Sequence, residues 1–285
     1  MNEDVLQRFL LDELDIRGAV VRLGPAWRQI VADRHYPEPV SRLLGEMCVT
    51  SLFITEALKQ SGRVTFQLRG TGPVSLLVVD CDERLNLRAL AQSVEDIEQG
   101  TARALLGDGQ LVLSLDLSSM RQPWQSVVPL EGEGIGDIFE HYLSLSEQLP
   151  SRLFLTATPE GAAGLFLQKL PSADTRDPDG WNRVEQLATT VTDDELISLS
   201  PDALLSRLFP EETVRVFEAR SVIHDTPEDW DKVRAMLRSL GREEVEAVLR
   251  EQGAVIVRDD LANREYRLDR DAIATIFDET PPTLH

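Results

Sequence analysis

The run Gly62 to Asp80, GRVTFQLRGTGPVSLLVVD, constrains the fold more than any other part of the chain. Val64, Phe66 and Leu68 alternate with Thr65, Gln67 and Arg69, so one face of a strand is apolar and the other polar. Gly70-Thr71-Gly72-Pro73 reverses the chain, because glycine tolerates positive φ and proline fixes its own. Val74 to Val79 is apolar almost throughout, which asks for cover on both faces. The stretch reads as a β-hairpin at the centre of a sheet. The rest of the chain must then supply layers that cover it.

Those layers can be read in order. Asp4 to Leu14 has the spacing of a short amphipathic helix, and Ile16 to Leu23 that of a strand. Pro25 starts a helix. Val40 to about Lys59 reads as a long helix with Val40, Leu43, Leu44, Met47 and Cys48 on one face, widened by Leu52, Phe53, Ile54 and Leu58. It should be buried on more than one side. Strands follow at Leu85–Gln92, 110–117 and 124–130, then a helix from Ile135 to about Glu147, then strands at 151–157 and 162–170. Thr158-Pro159-Glu160-Gly161 joins the last two as a turn.

Pro171 to Gly180 is polar, proline-rich and without periodicity, and it marks a boundary. Beyond it Thr192-Asp193-Asp194-Glu195 is a capping box, and Ser200-Pro201 is a second helix start. Pro210 ends that helix, and Glu212 to Glu218 has the pattern of a strand. From Pro227 the order is helix, helix, hairpin, helix. Trp230, Val233, Leu237 and Leu240 share one face, Gly241 and Gly253 end the two helices, and Asp269 caps the last. The tail 280–285 reads as frayed. The fold class is α+β: a strand-rich core domain with packed helices at 1–171, a helical linker at 172–212, and a small C-terminal α+β domain at 213–285.

Several segments carry a resemblance in the same order along the chain. They are the hairpin itself, Leu105 to Leu113 (LLGDGQLVL), Val127 to Gly134 (VVPLEGEG), Ser146 to Leu155 (SEQLPSRLFL) and Ala162 to Pro171 (AAGLFLQKLP). Together they resemble the 33-kDa heat-shock protein family, the redox-regulated holdase chaperones of bacteria. The resemblance runs from about Leu6 to about Phe277. It implies an ATP-independent chaperone that binds unfolding proteins and acts as a dimer when active. It also implies a C-terminal domain that binds zinc through a C-x-C and a C-x-x-C pair and depends on the metal to fold. Oxidation of those thiols releases zinc, and the domain and linker then unfold.

This chain departs from that pattern. Matched without gaps around REEVEAVL, the first cysteine pair falls on Thr226 and Glu228 and the second on Asp259 and Ala262. The two cysteines of the chain, Cys48 and Cys81, lie far upstream. The thiol–zinc switch is therefore absent and no cofactor is expected. Trp230, Val233, Leu237, Val245, Leu249, Val255, Val257, Tyr266, Leu268, Ile273 and Phe277 are expected to form an apolar core in its place. A unit of this size should sit near its unfolding threshold, which makes heat or another destabilising stress a candidate trigger.

Charge and motif narrow the remaining possibilities. With 29 Lys and Arg against 49 Asp and Glu, the net charge is −20, which disfavours nucleic acid and anionic membrane as partners. The N-terminus is acidic and no apolar run reaches the ~18 residues of a membrane span, so a cytoplasmic location is expected. Cys48 reads as a buried thiol inside a helix. Cys81 is placed in a turn, where flanking carboxylates would raise its pKa. Gly132, Gly134 and Gly136 lack the spacing and the Lys-Ser/Thr of a phosphate loop. His35, His141 and His285 suggest no catalytic constellation, and no catalytic residue is assigned.

Three functional readings follow. The first is a holdase not switched by cysteine oxidation, a possible homodimer. The second is a non-chaperone paralogue that docks one specific partner. The third is a metal-dependent enzyme using His224, Asp225, Glu228, Asp229, Asp259 and Asp260 as hard oxygen or nitrogen ligands, against which stands a solvated acidic face. The holdase reading is preferred.

Overall fold

The computed structural model describes residues 3–58, 60–120 and 122–278. The chain divides into two units, Met1–Asp225 and Thr226–His285. The first begins with β1 (Val5–Leu11), β2 (Ile16–Leu23), α1 (Pro25–Val31), α2 (Glu38–Ala57), β3 (Gly62–Arg69), β4 (Val74–Asp82) and β5 (Leu87–Ser93). It continues through α3 (Ala102–Leu106), β6 (Gln110–Leu117), β7 (Trp124–Val128), α4 (Ile135–Ser146), β8 (Ser151–Ala157) and β9 (Ala162–Lys169). Four short helices follow, α5 (Ala173–Arg176), α6 (Gly180–Ala188), α7 (Asp193–Ser198) and α8 (Pro201–Leu208), and then β10 (Val214–Val216) and β11 (Arg220–Ser221).

The Gly62–Asp80 hairpin lies where its sequence demands. One sheet runs β5-β4-β3-β6-β7, with β3 central between β4 and β6. Phe66 pairs with Val79 on one side and Leu113 on the other, and Val64, Phe66 and Leu68 are all buried. The turn is held from outside as well, since the amides of Thr71 and Gly72 both donate to the Leu106 carbonyl. The second sheet runs β10-β1-β2-β9-β8, and β11 also pairs with β1.

Helix α2 joins the two sheets. Proline at its first turn starts it, and Leu43, Leu44, Met47, Cys48, Val49, Leu52 and Phe53 are buried around more than one side. One continuous core holds these residues together with Val21 and Phe166 of one sheet and Phe66 and Val79 of the other. The helix ends at Ala57, and Lys59, its expected last residue, lies outside the described residues.

The 172–212 segment packs within this unit. Trp181, Val184, Leu196, Leu204, Leu205, Leu208 and Phe209 bury against Phe9, Leu11, Val20, Leu165 and Leu167 of the second sheet, forming a separate core. The expected cap and box are both formed: Thr192 and Glu195 bond each other's amides, and the Ser200 hydroxyl accepts from the Ala203 amide.

Two local readings are corrected. Residues 5–11 are a strand and not a helix. Pairing with β2 along its whole length buries Leu6, Phe9 and Leu11, and Asp15 at φ +53° turns the chain back. Tertiary pairing overrides a spacing that fits a helix equally well. Cys81 lies in β4, opposite Val64, and not in a turn.

The second unit is α9 (Trp230–Leu240), α10 (Arg242–Gln252), the hairpin β12 (Val255–Asp259) and β13 (Arg264–Leu268), and α11 (Arg270–Asp278). Gly253 adopts the left-handed conformation that ends α10, and Asp269 caps α11 through the Ala272 amide. Val233, Leu237, Val245, Leu249, Val255, Val257, Tyr266, Leu268 and Ile273 are buried as expected, with Ile276 added. Trp230 is 37% and Leu240 51% exposed, and Phe277 is half-buried. Residues 279–285, including the expected frayed tail and His285, lie outside the described residues.

Candidate functional site

The C-terminal unit is the natural place to look for a switch, and its four metal-matched positions are all committed to other partners. The Asp259 carboxylate accepts from Lys232 Nζ at 2.7 Å and from the Ala262 amide at 3.2 Å. Glu228 accepts from Trp230 Nε1 at 2.7 Å and lies 3.5 Å from Arg264. The Thr226 carbonyl accepts from Arg264 Nη2 at 2.6 Å. The Ala262 side chain offers no donor atom. Thiolate-type tetrahedral zinc does not fit a hydroxyl, two engaged carboxylates and a methyl group.

Two protein cations, Lys232 and Arg264, thus stand among these positions. Lys232 joins the start of α9 to the end of β12, and Arg264 joins β13 to the segment before α9. Trp230 lies edge-on against Tyr266, with ring centroids 5.0 Å apart, and the Tyr266 hydroxyl accepts from the Asp229 amide. These contacts staple α9 to the hairpin. The fit is imperfect, since Arg264 Nε is buried without a hydrogen-bond partner.

The six hard-ligand candidates are divided between the two units. His224 Nδ1 donates to the Leu87 carbonyl at 2.8 Å, and the Asp225 amide donates to Asn86. Both belong to the first unit, whereas Glu228, Asp229, Asp259 and Asp260 belong to the second. Asp229 serves as the α9 cap, accepting from the Lys232 amide. Among the described residues no group of three His, Cys, Asp or Glu side chains could hold a metal. His141 pairs with Glu131 at 3.3 Å, and His35 occupies a left-handed turn at φ +49° beside Trp27. Among the described residues no helix is long and apolar enough to cross a membrane.

Both thiols are fully buried and unpaired. Burial pushes the Cys81 thiol up to about 12, with Asp82 and Asp80 adding less, so the flanking carboxylates are the minor cause and not the main one. Burial also raises the Cys48 thiol. Neither is poised as a thiolate at neutral pH.

Just before the second unit, the strap 214–225 is pinned to the core. Arg215 forks onto Asp12. Arg220 pairs with the buried Glu56, which Arg8 also meets at 3.0 Å. Ile223 bridges Asn86. Sequence reading missed Lys232, Arg264 and Arg220 because each pairs with a residue tens of positions away. Charge types were visible, but partners were not.

A two-sheet core wrapped on a buried helix, followed by short helices and a small α+β unit, defines the class as α+β. The pattern of the family described as Hsp33 protein matches residues 4–269. The chain is 40% identical over 279 residues to the 33 kDa chaperonin of Chromobacterium violaceum, covering 97% of this chain and 95% of that one. It is 37% identical to the 33 kDa chaperonin of Methylobacillus flagellatus, covering 93% and 92%. The crystal structure of the 33 kDa chaperonin (heat shock protein 33 homolog) from Thermotoga maritima superposes with a TM-score of 0.80 at 19% identity, covering 96% and 97%. The chain belongs to the Hsp33 family.

Proposed function

We propose that this protein is an ATP-independent, holdase-type chaperone of the cytoplasm that binds unfolding proteins and is not switched by cysteine oxidation. Family membership supports the chaperone part. The observation that carries the second part is the occupation of the four metal-matched positions by Thr226, Glu228, Asp259 and Ala262, of which Asp259 engages Lys232 and the Ala262 amide while Thr226 and Glu228 meet Arg264. A stress that loosens ion pairs and a small core replaces one that oxidises thiols. The 172–212 helices cover a broad apolar face of the second sheet, and as a linker they would uncover it on release. Self-association in the active state is part of the same reading.

The test is light scattering from citrate synthase unfolding on heating, with neither ATP nor oxidant added. The purified protein suppresses the scattering, and peroxide leaves the suppression unchanged. Absence of suppression at every temperature overturns the holdase reading, and suppression only after peroxide overturns the switch reading.

A further inference from the structure

One recess of the first unit lies apart from the features described above. It lies between the C-terminal turn of α2 and the β1-β2-β9 face, with a volume of about 460 Å³. That is within the range of about 300–1,000 Å³ typical of small-ligand sites. Its apolar wall includes Phe53 and Phe166, whose rings pack with centroids 5.6 Å apart, and Leu58. Phe217 of the strap stands at the mouth, 37% exposed, with the Arg8 guanidinium 5.3 Å from its ring centre. Ala19 lies on the floor, paired with Phe166 across the strands.

Charge narrows what such a recess accepts. Two arginines, Arg8 and Arg17, stand at its rim against one carboxylate, Glu56. Glu56 is already neutralised by Arg8 and Arg220. Arg17 donates to Gln168 and lies 3.6 Å from Glu147, with its side chain 42% exposed. Arg8, Arg17 and Arg220 against Glu56 and Glu147 leave the rim one net positive charge, in a chain of net charge −20 that repels acidic segments elsewhere. An aromatic-walled recess with a cationic edge suits a large apolar side chain next to an acidic one, anchored as buried side chains anchor at interfaces.

Resting on the holdase reading, we infer that this recess is a client-binding pocket for extended segments carrying a large apolar residue flanked by acidic ones. Ala57 is exposed at the rim, so an indole there closes the mouth without entering the core.

The probe is a short labelled Gly-Ser peptide built around Glu-Phe-Leu-Glu, followed by fluorescence anisotropy at low salt. Binding saturates, and it weakens about tenfold or more when Phe and Leu become Ser, when Lys replaces Glu, or in Ala57→Trp. Arg17→Gln abolishes the preference for Glu over Lys, and both variants keep the wild-type melting temperature. No binding by the wild-type protein, or equal binding by Ala57→Trp, overturns the pocket. So does equal binding of the Lys peptide. Citrate synthase scattering is measured alongside: suppression that persists fully in Ala57→Trp removes the pocket and leaves the holdase reading standing. A wild type that binds the peptide as described but suppresses nothing removes the holdase reading and leaves a peptide site.

Discussion

The two units bury their apolar surface on very different scales. In Met1–Asp225, helix α2 is enclosed between two sheets, and its buried residues touch both. In Thr226–His285, ten described apolar residues from three helices and one hairpin form the buried cluster, with Ala254 buried outside it. A small unit hides a smaller share of its surface, so each side chain and each staple weighs more in its balance. This chain adds Lys232–Asp259, Arg264–Thr226 and the Trp230–Tyr266 edge contact.

The contrast can be broken by truncating each core in turn. Phe66→Ala removes a fully buried ring that packs edge-on against Phe139 at 5.1 Å, at a cost of about 3–5 kcal/mol. Calorimetry should show the first unit's transition falling while the second unit's stays. Leu237→Ala costs about 2–5 kcal/mol in the small core. That is enough to leave the second unit protease-sensitive at temperatures where the first remains folded. If both variants melt in one shared transition, the units are not energetically separate.

Smaller changes sharpen the comparison. Glu46 lies on α2, where burial pushes its carboxyl up to about 7, opposed by Arg42 and reinforced by Asp193 and Asp137. A folded-state pKa above the ordinary 4.5 gives stability that is full below that value and lost as pH rises through about 7. Glu46→Gln should therefore raise the first unit's melting temperature above pH 8 and leave it unchanged near pH 4. Equal gains at both pH values would contradict the titration. Lys232→Met should cost the second unit only about 0–1 kcal/mol, because Lys232 is largely exposed, and should flatten its salt dependence in thermal melts.

What could be read in advance follows from range. The hairpin, helix α2, the caps at Thr192, Ser200 and Asp269, and the stop at Gly253 all rest on neighbours within a turn or two. Those local signals are decided before tertiary structure exists. Residues 5–11 satisfy helical and strand spacing alike, and only β2, β10 and β11 decide between them. The staples of the small unit span longer separations, such as Lys232 to Asp259. The missing cysteines could be counted from sequence, but the cations standing among their positions required the fold.

Metal content and a melt of the second unit test the central claim most directly. The purified full chain is assayed for zinc, then scanned by calorimetry with and without chelator and peroxide. The account predicts no stoichiometric zinc and a second-unit transition that neither reagent moves. Bound zinc whose removal abolishes that transition would contradict it.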